Sequence, residues 1–121
     1  MNQQEILNMP AGRKMNQLVW WKIFDMFPTP PNNDMKFLPD YSGDLNVAWS
    51  VIGKMKALGF EAWIMNEQKY KDYPGQDNAC KFYGNGRVYF SLGETAPLAI
   101  CRAALLAIME STGNERQTSI Q

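Results

Sequence analysis

Histidine is missing from all 121 residues, and that removes much acid–base chemistry at once. No Ser–His or Cys–His nucleophile pair can form, and no metal site can use imidazole. The two cysteines, Cys80 and Cys101, stand within or beside apolar runs. Two isolated thiols do not make a zinc site. They read as small core residues of a reduced, cytosolic protein. Glu67, Asp72 and Asp77 offer carboxylates, but their spacing matches no calcium loop and a solvated loop is expected. Gly84-Asn85-Gly86 reads as a hairpin turn and not a phosphate loop, because no helix follows it. A non-enzymatic protein without cofactor or metal is the expectation.

The chemistry that remains is recognition. Lys81, Tyr83, Arg87, Tyr89 and Ser91 can share one face of a hairpin, with Glu61, Trp63 and Met65 from a preceding strand. Aromatic rings interleaved with cations suit stacking on a base and neutralising a phosphate; ordinary cross-strand pairing is the plainer reading. Lys81, Arg87, Tyr89, Tyr83 and Trp63 are therefore the candidate ligand-binding residues. Arg102 is the lone charge in an apolar run. A guanidinium cannot deprotonate to escape burial, so it needs an acidic or carbonyl partner. A structural ion pair is expected for it, with Asp44 or Glu61 as the acid; an anion-binding role is the alternative. Trp20 and Trp21 read as core and interface.

These residues must be positioned by elements, and one element dominates. Pro97 to Met109 is apolar except for Arg102. Thr95 is placed as an N-cap, Pro97 fits the first turn, and Gly113 is placed just past the last turn. The run is too short to span a bilayer. A helix apolar nearly all round is buried nearly all round, so the other elements should wrap it.

The rest of the chain follows from periodicity. Residues 2–8 read as a short amphipathic turn of helix, broken at Pro10. Residues 11–26 read as a helix ending at Phe27, with Met15, Leu18, Val19 and Met26 on one stripe and Trp20, Phe24 and Phe27 on a second. The prolines at 28, 30, 31 and 39 favour an extended loop from Pro28 to Gly43. Ser42 or Asp44 caps a helix whose stripe is Leu45, Ala48, Trp49, Ile52 and Met55, ended by Gly59.

Residues 60–65, 79–83 and 87–92 read as strands. A two-residue turn at Asn85-Gly86 pairs Lys81 with Phe90 and Tyr83 with Val88. A three-residue loop instead pairs Phe82 with Val88, Cys80 with Phe90 and Lys81 with Tyr89. The second register segregates apolar from polar side chains and is the one expected. The fold class is α+β: a three-stranded antiparallel meander packed with about three helices, like an α/β/α sandwich. Residues 1–113 are expected to form a single domain and 114–121 a polar flexible tail.

Composition narrows the partners. Basic and acidic residues are 12 each and the formal net charge is zero. No electrostatically driven nucleic-acid polymer binding is expected, and no membrane association. The N-terminus lacks the pattern of a signal peptide.

Three stretches read together: Asn8-Met9-Pro10-Ala11-Gly12-Arg13, then Pro39-Asp40-Tyr41-Ser42 followed by Ala48-Trp49, then Ala96 to Leu106. Together they resemble the phage ABA-sandwich domain family, small proteins of phages and prophages. The resemblance covers nearly the whole chain. The family often carries an acid where this chain has Asn16, and Ser-Thr-Asp where it has Ser42-Gly43-Asp44. The resemblance implies helices on both faces of a sheet and brings no catalytic site. By analogy with small phage proteins that sequester host immune nucleotide signals, it implies a non-enzymatic binding protein, a sponge for a nucleotide-like small molecule in the host cytoplasm. The alternative is a phage structural or protein-interaction module acting through an aromatic surface. A homo-oligomer, a dimer, is expected from the two sheet edges and the surplus apolar surface of the first long helix. That second subunit, or the Pro28–Gly43 loop, would close the ligand site.

Overall fold

The structure is a computed structural model and describes residues 2–25, 38–66 and 76–120. Helix α1 (Gln3–Asn8) opens on an Asn2 cap, whose side chain accepts from Glu5 N–H. Helix α2 (Arg13–Leu18) runs directly into a π-helical turn at Val19–Ile23. Helix α3 spans Leu45–Ala57, strands β1, β2 and β3 span Glu61–Asn66, Asn78–Gly84 and Arg87–Gly93, and helix α4 spans Ala96–Ile120. The strands form one antiparallel sheet in the order β1-β2-β3. The expected α+β meander is thus present.

Helix α4 is the hub. Every residue from Pro97 to Ala107 is buried, with β2 and β3 on one side and α1, α3 and the π-helical turn also packed on it. Thr95 O accepts from Ala99 N–H at its start. Helix and sheet meet so closely that a Cβ on Gly93 would lie 2.7 Å from the Ala99 backbone nitrogen; only glycine fits there. Helix α4 continues through Gly113 to Ile120, so Gly113 is not its terminator. One glycine costs a helix interior only about 1 kcal/mol.

The first long helix ends earlier than its stripes suggest. Phe24 N–H closes the π-helical turn on Val19 O, and Asp25 then takes a left-handed φ of 51°. Met15, Val19 and Ile23 are buried, while Leu18, Trp20 and Phe24 are partly buried against the core. Some of the surplus apolar surface is absorbed within the chain, because Phe24 stacks on buried Tyr41 at 5.2 Å. Met26, Phe27 and most of the Pro28–Gly43 stretch lie outside the described residues.

In α3 the Asp44 side chain caps Asn46 N–H at 2.9 Å, and Gly59 N–H and Phe60 N–H close the far end on Lys56 and Met55 carbonyls, a Schellman ending. Its buried stripe is Ala48, Val51, Ile52 and Met55. Leu45 and Trp49, expected in the core, are about half exposed. They lie to the side of the face that meets α4.

The hairpin overturns the expected register. Gly84 pairs with Arg87, Tyr83 with Val88, Phe82 with Tyr89, Lys81 with Phe90 and Cys80 with Ser91. Asn85 and Gly86 both take positive φ, 57° and 76°. That is a type I′ turn, whose twist matches the flanking strands. The expectation failed because it assumed one apolar and one polar sheet face. Both faces carry apolar side chains here.

Candidate functional site

The paired registers set out a grid on the sheet face turned away from α4. Glu61, Tyr83 and Val88 form one row, and Trp63, Lys81 and Phe90 the next. Directly opposite side chains on one face stand about 5 Å apart at Cβ. Trp63, Tyr83 and Val88 are each at least half exposed. Glu61, Trp63, Lys81, Tyr83 and Val88 line a shallow depression of about 340 Å³.

Three of the five expected ligand-binding residues, Trp63, Lys81 and Tyr83, come together in this depression. The other two do not join them. Tyr89 points into the core, 5% exposed, with its ring edge-on to Phe60 at 6.1 Å. Arg87 lies on the same helix-bearing face as Tyr89 and pairs with Glu110 of α4. The expected patch of Lys81 opposite Tyr89 beside Arg87 is therefore corrected. The two-residue turn moves every β3 side chain to the opposite face from the one expected.

The depression can hold a planar ring and a little charge. Trp63 and Tyr83 offer ring faces, Lys81 a cation, and Glu61 an acceptor two positions from Trp63 on the same strand face. Among the described residues no cluster of His, Cys, Asp and Glu could hold a metal, and no helix is long and apolar enough to cross a membrane. Glu67 and Asp72 lie outside the described residues.

Arg102 is 8% exposed and sits elsewhere. Its Nε and Nη2 donate to Met9 O at 3.1 and 2.9 Å, and its Nη1 to Leu92 O at 2.9 Å. Nη1 also reaches Gln76 Oε1 at 3.4 Å. Burial pulls its pKa down, and the charge of Glu94 pulls it back. The expected ion pair with Asp44 or Glu61 is not made: Asp44 caps α3, and Glu61 lies on the far face of the sheet. Arg102 is a carbonyl clamp joining α4 to the segment after α1 and to the end of β3.

A second polar knot joins residues that the sequence marks singly but does not bring together. Asn16 Oδ1 accepts from Ser42 N–H at 2.9 Å and from Ser42 Oγ–H at 2.7 Å, and Asn16 Nδ2 donates to Asp40 at 3.0 Å. Ser42 Oγ accepts from Gly12 N–H at 2.9 Å. Gly12, Asn16, Asp40 and Ser42 all fall in or beside the stretches that carry the family resemblance.

Residues 16–105 match the family described as the phage ABA sandwich domain. The chain belongs to this family. The sheet, α3 and most of the buried part of α4 fall within the match. The fold is also similar to the 2.0 Å crystal structure of a phage protein from Bacillus cereus ATCC 14579. That likeness has a TM-score of 0.62 at 27% identity and covers 81% of this chain and 92% of the other. No curated protein matches this phage ABA sandwich chain.

Proposed function

We propose that this phage ABA sandwich protein is a non-enzymatic binding protein. Its working surface is the outer sheet face, where it holds a nucleotide-like signal out of circulation in the host cytoplasm. The observation that supports this reading is Trp63 directly opposite Lys81 over an open depression that Tyr83 also lines. A base stacks on the rings, the ammonium meets a phosphate, and Glu61 accepts from an exocyclic amino group. The absence of histidine supports retention over turnover.

Calorimetric titration with a panel of cyclic and linear nucleotides tests this. Stacking on one aromatic is worth roughly 1–3 kcal/mol, so Trp63→Ala should weaken binding roughly 5- to 150-fold. Lys81→Ala should weaken it too, and Arg87→Ala should not. Normal binding by Trp63→Ala and Lys81→Ala contradicts the reading.

A protein-interaction module is the second reading. It is favoured by Val88, 55% exposed, and Phe90, 37% exposed, which extend the apolar surface beyond the ring pair. In that reading the face binds no small molecule.

A further inference from the structure

Strand β1 differs from the other sheet edge. At β3 the helix-bearing face is covered at Tyr89 and Ser91, both buried under α4, and only Arg87 at its start is exposed. At β1 consecutive side chains on opposite faces are both exposed: Trp63 59% on the outer face, Ile64 36% on the helix-bearing face. Helix α3, which packs on β1, leaves Leu45 and Trp49 about half exposed, as is Leu58 just after it. A partner lying on one sheet face covers one of Trp63 and Ile64. A partner that continues the sheet covers both.

The backbone is set for continuation. Gly84 and Arg87 flank the two-residue turn as a hydrogen-bonded pair, so Gly84, Phe82 and Cys80 direct their N–H and C=O groups to β3. Tyr83, Lys81 and Ala79 then direct theirs to Glu61, Trp63 and Met65. Ala62, Ile64 and Asn66 are left with outward-directed groups, since among the described residues β1 pairs only with β2. Glu-Ala-Trp-Ile-Met-Asn carries no proline and no lysine, two of the devices that protect a sheet edge, and its one charge is Glu61 at the start.

We propose that β1 pairs antiparallel with β1 of a second copy about a two-fold axis normal to the sheet, joining two three-stranded sheets into one. The strand is complementary to itself. Two-fold antiparallel pairing keeps each residue on its own face, so Trp63 comes beside its copy on one face and Ile64 beside its copy on the other. An axis at Trp63 pairs Glu61 with Met65; an axis at Ile64 pairs Ala62 with Asn66. In neither register does Glu61 face its own copy. The outer faces of the two copies become continuous, with both Trp63 rings near the axis. This assembly does not depend on a nucleotide, and its test contains none.

Light scattering on the full chain at about 50 micromolar should give twice the chain mass. Ile64→Lys should give the chain mass, with an unchanged circular dichroism spectrum. Directly opposite Cα atoms stand about 4.5–5.5 Å apart, within disulfide reach. Trp63→Cys or Ile64→Cys, whichever lies on the axis, should therefore form a reducible covalent dimer under mild oxidation. The cross-link stands even if Ile64→Lys folds poorly. A wild-type monomer, an Ile64→Lys dimer as stable as wild type, or no cross-link from either cysteine variant would overturn the proposal.

Discussion

Asn16 grips Ser42 through one oxygen, which accepts from both the Ser42 N–H and the Ser42 hydroxyl. The two residues are 26 apart in sequence. Their contact fixes the approach to α3 against the first long helix. The amide is used at both ends, because its Nδ2 donates to Asp40 at 3.0 Å. In this chain a carboxylate at position 16 would lose that donor and face Asp40 as a like charge.

Asn16→Asp should accordingly cost about 2–3 kcal/mol at neutral pH. Repulsion raises the pKa of the introduced acid in the folded state. Its uncharged form is then favoured by folding, so the penalty shrinks as pH falls toward about 4 and grows as pH rises through that folded pKa. Thermal melts of both proteins at pH 4 and pH 7 check this. An equal penalty at the two values contradicts it.

Arg102 and Arg87 should behave oppositely. Arg102→Ala strands the buried Met9 carbonyl and removes one donor from the part-buried Leu92 carbonyl, which keeps the Ser91 hydroxyl, and should cost roughly 3 kcal/mol. Arg102→Lys should recover only part, because one ammonium does not reproduce a fork spread over two carbonyls. Arg87→Ala breaks a solvent-exposed pair with Glu110 and should change stability by less than about 1 kcal/mol. Urea unfolding of the three variants orders them.

Much of this was legible beforehand, for identifiable reasons. The run Pro97–Met109, apolar except for Arg102, announces a buried hub, since a helix without a polar face has nowhere else to sit. Arg102's need for an acidic or carbonyl partner is legible too, but particular carbonyls such as Met9 O and Leu92 O leave no mark in a sequence, whereas Asp44 and Glu61 do. The hairpin is the instructive failure. Asn85-Gly86 carries the correct local signal, but segregating apolar from polar side chains favours the other register. That criterion holds when one sheet face is wet. Trp63, Val88 and Phe90 make the outer face apolar, so the criterion selected the wrong face for Tyr89 and Arg87. Leu45 and Trp49 misled in the same way, as apolar residues that the chain's own core does not use.

The thiols give a pH prediction. Burial raises Cys80 to about 12, and burial with the nearby Cys80 raises Cys101 further. Folding thus holds both in the thiol form. That contribution is complete below the unfolded pKa near 8.5–9 and is lost as pH rises toward the folded values. The melting temperature should fall between pH 8.5 and 11, and less steeply in Cys80→Ala. Ellman's reagent should titrate neither thiol in the native protein within minutes and both in urea. Rapid native labelling would contradict the burial.

The outer sheet face as a nucleotide-retaining surface is tested most directly by recovery. The purified protein is incubated with a mixture of cyclic and linear nucleotides, desalted, denatured, and the released small molecules are weighed by mass spectrometry. The expected result is one nucleotide released chemically unchanged from wild type and from Arg87→Ala, and lost from Trp63→Ala and Lys81→Ala. Release of no nucleotide, or equal release from Trp63→Ala and wild type, would contradict it.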